Sequence, residues 1–221
     1  MPSCCTHNRD TGRFFGWLAK LYRKRFARKG LEASQQQLVD GLRRQGWAGL
    51  TLLEVGCGVG YLHQLMLKDG AARAVGVDLS SKMLHEAREQ ARVQGLSART
   101  DYREGDFVEL SDSIAPADVV VLDKVICCYP DAERLVGRSA DKATRSYAFT
   151  IPRDRWLVRM GFWFAGRMLA LIRCGFRTYV HDVDAIERRL SQAGFERVFQ
   201  ASTFIWLTRV YARRAVSGAA L

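Results

Sequence analysis

Eight residues constrain this chain more than any others: "LEVGCGVG", Leu53 to Gly60, where three glycines alternate behind a carboxylate at the end of an apolar run. Such a run reads as a buried strand that turns sharply into a helix and leaves bare backbone facing a ligand. A dinucleotide loop needs Gly-x-Gly-x-x-Gly. Here the third glycine arrives one residue early, at Gly60, and Tyr61 fills the expected place.

The stretch that follows alternates strand and helix. "LTLLEV", "RAVGVD", "ARTDYREGD", "ADVVVLD" and "RSYAFTIP" read as strands, with "YLHQLMLKDG", "LSSKMLHEAREQARVQG" and "DAERLVGRSADKA" as helices between them. Ser80 or Ser81 can cap the second of these helices and Gly95 can end it. Apolar residues are consecutive in "DVVVLD", as suits parallel strands buried on both faces. "VDAIERRLSQAGF" is a late helix, and "ERVFQAST" with "FIWLTRVYAR" a closing antiparallel pair. The order predicts an α/β, doubly wound, mostly parallel seven-stranded sheet of Rossmann-like form, with ligands at the carboxyl ends of the strands. Residues 1–48 are expected to form an N-terminal helical arm, with Gly30 breaking two helices. Residues 49–212 form the main domain, and 213–221 a tail.

Length and composition agree with one globular unit: 221 residues, 48% hydrophobic, four prolines. The formal charge of +11 favours anionic partners, whether an acidic small molecule, a membrane surface or nucleic acid. "MPSCCTHNRD" lacks a secretory pattern, and no uncharged apolar run of about eighteen residues occurs. A cytoplasmic protein with mostly reduced cysteines is the expectation, with peripheral membrane contact left open.

Three carboxylates stand at three successive strand ends. Glu54 can accept from a ligand ammonium, and Asp78 can take both ribose hydroxyls. Asp106 in "EGDF" can meet an adenine edge while Phe107 packs beside the ring. Two phosphates beside Glu54 would suffer like-charge repulsion, so a cationic nucleoside suits the loop better than a pyrophosphate.

Glu54-x-Gly56-x-Gly58-x-Gly60, "VGVDLS" and "EGDF" together resemble the successive motifs of the class I S-adenosylmethionine-dependent methyltransferases, over roughly residues 50 to 212. The resemblance implies S-adenosyl-L-methionine as cofactor. It implies that Glu54 with Gly56, Cys57, Gly58 and Gly60 holds the methionine portion, and that Asp78 with Leu79 holds the ribose. Asp106 and Phe107 would take the adenine, with Met83 packed on the base. The flanks "GRFFGWLAKLY", "VVVLDKVICCYP" and "FIWLTRVYAR" resemble magnesium-protoporphyrin IX methyltransferases and related bacterial methyltransferases of unassigned substrate. That likeness matches Tyr22 to a tyrosine implicated in catalysis, and puts Cys128 where those enzymes carry a histidine. Cysteine cannot copy the hydrogen bonding of an imidazole or its proton affinity near neutrality.

Candidate catalytic groups are Tyr22, Asp123, Lys124, Cys128 and Tyr129 at the mouth of the fourth strand, with His181 a weaker general base. No metal site is expected. Cys4-Cys5 and Cys127-Cys128 lack the Cys-x-x-Cys spacing of a zinc knuckle. They are spare thiols, or the N-terminal pair folds over to make a soft pocket for a thiol or metalloid acceptor. About thirty residues after the fifth strand, 153–181, form a cap insertion rich in Trp, Phe, Met and Arg. Three readings stand: a helix packed on the sheet, a lid offering Arg153, Arg155 or Arg159 to an anion, or an interfacial helix bearing Trp156 and Trp163. The acceptor expected is a small molecule, anionic, amphiphilic, or a thiol or metalloid. The rivals are a non-enzymatic cofactor-binding partner protein and an RNA methyltransferase, which +11 would suit. The lack of an Asn/Asp-Pro-Pro-aromatic pattern after strand four weighs against nucleic acid. Oligomeric state is left open.

Overall fold

The structure, a computed structural model, describes residues 4–171 and 175–214. In chain order the elements are α1 (Cys4–Lys29), α2 (Ala33–Arg43), β1 (Thr51–Val55), α3 (Tyr61–Lys68), β2 (Arg73–Asp78), α4 (Ser81–Val93), β3 (Thr100–Glu104) and α5 (Phe107–Leu110). β4 (Ala117–Asp123), α6 (Ala132–Ala140), β5 (Ala143–Pro152), α7 (Trp156–Leu171), α8 (Val183–Gln192), β6 (Phe195–Ser202) and β7 (Trp206–Arg213) complete the chain.

The sheet order is β3-β2-β1-β4-β5-β7-β6. β1 to β5 run parallel, and β7 inserts antiparallel between β5 and β6. The doubly wound, mostly parallel expectation is therefore met. Successive strand residues point to opposite faces, so each apolar run feeds two cores. Leu53, Val55, Val120 and Leu122 join one core, beneath α5, α6 and α8. Leu52, Val119 and Val121 join the other, beneath α2, α3 and α4. Two buried faces explain why "DVVVLD" shows no alternation.

Local chemistry sets the helix ends. Ser80 accepts from the Met83 N–H and caps α4, and Gly95 follows it at φ 68°. Gly30, at φ 66°, separates α1 from α2. The expected arm holds two helices of different kind. α2 belongs to the core, burying Leu38, Val39 and Leu42 against β5, β6 and β7. α1 crosses the carboxyl ends of the strands and packs on α4, where Arg23 pairs with Glu86 at 2.8 Å. Gly12 and Gly16 permit that approach: a Cβ would stand 2.7 Å from the Leu79 carbonyl oxygen or 2.8 Å from Ser80 Oγ.

The cap departs from the reading of a helix packed on the sheet. Among the described side chains of α7 only Val158 is buried, and Trp156, Trp163, Phe164 and Met168 are 58–68% exposed. The sequence pattern left the lid and interfacial readings open beside it, because α7 is apolar around most of its circumference while only one flank meets the protein.

Candidate active site

The glycine loop is built by backbone bonds to β2. The N–H groups of Gly56 and Cys57 both donate to the Val77 carbonyl, at 2.7 and 3.0 Å. Gly56, Gly58 and Gly60 all take positive φ (66°, 53° and 78°), a region that costs other residues about 1–2 kcal/mol. Space excludes side chains at two of them. A Cβ on Gly56 would lie 2.3 Å from Val125 Cγ2, and one on Gly60 would lie 2.7 Å from Gln64 Nε2. Gly58 differs, because nothing lies within 4 Å of its Cβ position. Bare backbone there faces a cavity of about 180 Å³ at the strand ends.

Asp78 is half-buried at the end of β2. Its Oδ2 accepts from the Gly58 N–H at 2.8 Å and its Oδ1 from the Ser80 N–H at 2.9 Å. Burial nevertheless dominates and raises its pKa to about 6. Glu54 is fully enclosed. Its Oε2 accepts from His63 Nδ1 at 2.5 Å, and His63 Nε2 meets the Tyr102 hydroxyl at 2.9 Å. Gln64 Nε2 donates to the same hydroxyl at 2.8 Å. Burial pushes the Glu54 carboxyl up against the pull of the His63 hydrogen bond. Asp106 caps α5 through the Val108 N–H, 2.9 Å. Its Oδ2 accepts from Asn8 Nδ2 of α1 at 2.8 Å and from the Tyr129 hydroxyl at 2.9 Å.

A second polar cluster stands at the end of β4. Lys124 takes φ 58°, the one positive φ among the described non-glycine residues, a strained state typical of functional turns. Its Nζ lies 2.6 Å from Glu32 Oε2 and 5.1 Å from the centre of the Trp206 ring. Arg25 also pairs with Glu32. Burial disfavours ionised Glu32, but the bonds and charges of Lys124 and Arg25 outweigh it and lower its pKa. Asp123 accepts from Gln35 Nε2 at 2.7 Å, and burial raises its pKa. Tyr22 is raised by burial and then by the Glu32 charge. The Cys127 and Cys128 thiols both lie against the Lys124 carbonyl, 3.4 and 3.6 Å away. The neighbouring Cys128 and burial push Cys127 well up, and burial does the same to Cys57.

Tyr22, Glu54, Gly56, Cys57, Gly58, Asp78, Leu79, Met83, Asp106, Phe107, Asp123, Lys124, Cys128 and Tyr129 all line one cavity. Gly60 stands outside that lining and serves as the N-cap of α3. His181 is spent on the Tyr129 carbonyl at 2.9 Å, also off the lining. The three arginines that the lid reading offered to an anion are absent from that lining. Arg153 donates to the Thr203 carbonyl, Arg155 lies over Phe204, and Arg159 meets Asp154 at 3.5 Å. The side chains of Cys4 and Cys5 lie outside the described residues, and with them the folded-over thiol pocket. Sequence reasoning missed His63, Glu32, Gln35 and Asn8. A histidine one turn into the helix after the glycines was a usable signal for the first.

Residues 52–143 match the family model described as a methyltransferase domain. The ribosomal protein L11 methyltransferase of Edwardsiella ictaluri is 33% identical over 117 residues, covering 50% of this chain and 39% of that protein. The chain thus spans about two fifths of the length of such curated relatives. Magnesium protoporphyrin IX methyltransferase of Synechocystis, solved with bound S-adenosylhomocysteine, superposes with a TM-score of 0.68 at 20% identity, over 93% of this chain and 98% of that one. The cyclase SpnF superposes at 0.70 with 14% identity, over 94% and 97%. Residues 52–143 are thus similar to a methyltransferase domain, and the chain as a whole shares the fold of the solved magnesium protoporphyrin IX methyltransferase.

Proposed function

We propose that this chain is an S-adenosylmethionine-dependent methyltransferase acting on a small-molecule acceptor that is anionic, amphiphilic, or a thiol or metalloid. The observation that carries this reading is Asp78, held by two backbone N–H groups beside the open backbone of Gly58. The residues fit the cofactor. A cationic nucleoside meets three acids here, and the cradle at Gly58 is one that any side chain would fill. Asp78 would hold the ribose hydroxyls, the Gly56–Gly58 backbone and Glu54 the amino acid end, and Phe107 and Met83 the base. Asp106 would receive the adenine amino group where Asn8 now donates.

Bound there, the sulfonium supplies an already electrophilic methyl group. The protein's task is then positioning, exclusion of water and removal of a proton. Phe15, Tyr22 and Phe26 of α1 close the cavity from above. Tyr22, kept neutral by burial and by Glu32, donates a hydrogen bond that orients the acceptor. Asp123, whose proton affinity is raised, takes the acceptor's proton. Lys124 offers its ammonium to an anionic substituent, in exchange for Glu32. Cys127 stays a thiol and is no nucleophile.

The match to a ribosomal protein methyltransferase favours a second reading, a protein acceptor. Transfer of label from methyl-labelled S-adenosylmethionine into a fractionated cell extract separates the two. The expected result is label in the aqueous or lipid fraction that disappears with Asp78→Ala. Label in protein or RNA would move the acceptor to a macromolecule. No label despite cofactor binding would favour a non-enzymatic binder.

A further inference from the structure

α7 has an outer face that the protein leaves uncovered. At 100° per residue, Trp156, Leu157, Met160, Trp163, Phe164 and Met168 share an arc of about 140°, and all are exposed. The opposite flank meets the fold through buried Val158 and through Phe162, whose ring lies edge-on to Trp206 at 6.5 Å. Exposed Phe204 and Ile205 continue the apolar surface on the turn between β6 and β7. A contiguous patch of this kind marks a surface that something covers.

Charge says what covers it. Residues 156–171 contain two arginines and no acid. Arg155 lies over Phe204 at 5.8 Å and Arg167 over Trp163 at 5.3 Å, so cations sit directly on the aromatic rings. Asp154 beside them is met by Arg159. A second copy placed symmetrically on this face would bring arginines against arginines in a chain of net charge +11. An anionic bilayer surface instead accepts the Trp and Phe rings at headgroup depth and the guanidinium groups at its phosphates. No helix among the described residues is long and apolar enough to cross a membrane. The 16 residues of α7 suit an interfacial seat rather than a span.

We propose that α7, with Phe204 and Ile205, is an interfacial anchor that seats this chain on anionic lipid. α7 starts just past the carboxyl end of β5, and through Trp206 it neighbours Lys124 on the cavity wall. Seating there holds the cavity close to the bilayer. It does not depend on which acceptor is methylated.

The test is sedimentation of the full chain with vesicles of phosphatidylcholine alone and of equal parts phosphatidylcholine and phosphatidylglycerol. Binding is expected to the anionic vesicles, to weaken with salt, and to fall roughly tenfold or more in Trp163→Glu/Phe164→Glu. Both residues are exposed and lie off the cavity, so S-adenosylmethionine binding should be unchanged in that variant. Failure of the wild-type chain to sediment with anionic vesicles would overturn the proposal. So would equal binding by the double variant, or a dimer in sedimentation velocity that the variant dissolves while vesicles go unbound.

Discussion

Asp78 shows how far a single residue could be read in advance. Its place at a strand end follows from the local strand-then-helix pattern, and so does its position opposite the glycine loop. Its proton affinity does not follow, because that comes from burial assembled by distant segments. Ionisation of Asp78 is harder in the folded chain than in the unfolded one, so this group favours folding below its ordinary pKa of 3.8. That contribution is lost as pH rises through about 6. Cofactor binding has the opposite sign, since the carboxylate accepts the hydroxyls. Affinity should fall roughly tenfold per unit as pH drops below about 6, in titrations across that range. His63 is the contrasting case. Glu54 was visible as a strand-end acid and His63 in the following helix was a usable signal, but their bond forms only once α3 docks. His63→Phe strands a buried carboxyl and should cost about 2–3 kcal/mol in urea unfolding.

At the scale of elements, the pattern located the seven strands and their intervening helices because buried parallel strands and capped helices are local signals. It left α7 open among packed, lid and interfacial readings, because an apolar circumference does not say which flank is covered. It also grouped α2 with α1, although α2 is wedged onto β6 and β7. Gly41 in α2 makes that wedge measurable. Alanine is favoured over glycine in a helix by about 1 kcal/mol. A Cβ at this site would stand 2.4 Å from the Phe199 ring and 2.7 Å from Val210. The clash wins, and Gly41→Ala should lower stability by about 1–3 kcal/mol, read as a drop in the thermal midpoint. Gly56→Ala meets both a positive φ and Val125. Adding Val125→Ala should restore part of the lost stability but not all, because the φ strain remains. Full restoration in thermal unfolding would show that sterics alone demand the glycine.

The whole molecule joins a sheet edge that gathers carboxylates to a surface that is strongly basic. Net charge was legible from composition, but its placement was not: Glu32, Glu54, Asp78, Asp106 and Asp123 turn inward to the cavity while arginines line the exposed cap. Basic charge alone would suit RNA, yet Arg153, Arg155 and Arg159 are held on the cap, away from the cavity. A ligand that binds only the folded chain stabilises it by about 2.7 kcal/mol at a hundredfold excess over Kd. S-adenosylmethionine at that excess should therefore raise the thermal midpoint by about 5–10 °C for a chain of this size. The most direct measurement is calorimetric titration of S-adenosylmethionine into wild type and Asp78→Ala at neutral pH. One site per chain, weakened by about 1–3 kcal/mol in the variant, is the expected result. Equal affinity in both proteins, or no binding to the wild type, would contradict the assignment of the cavity.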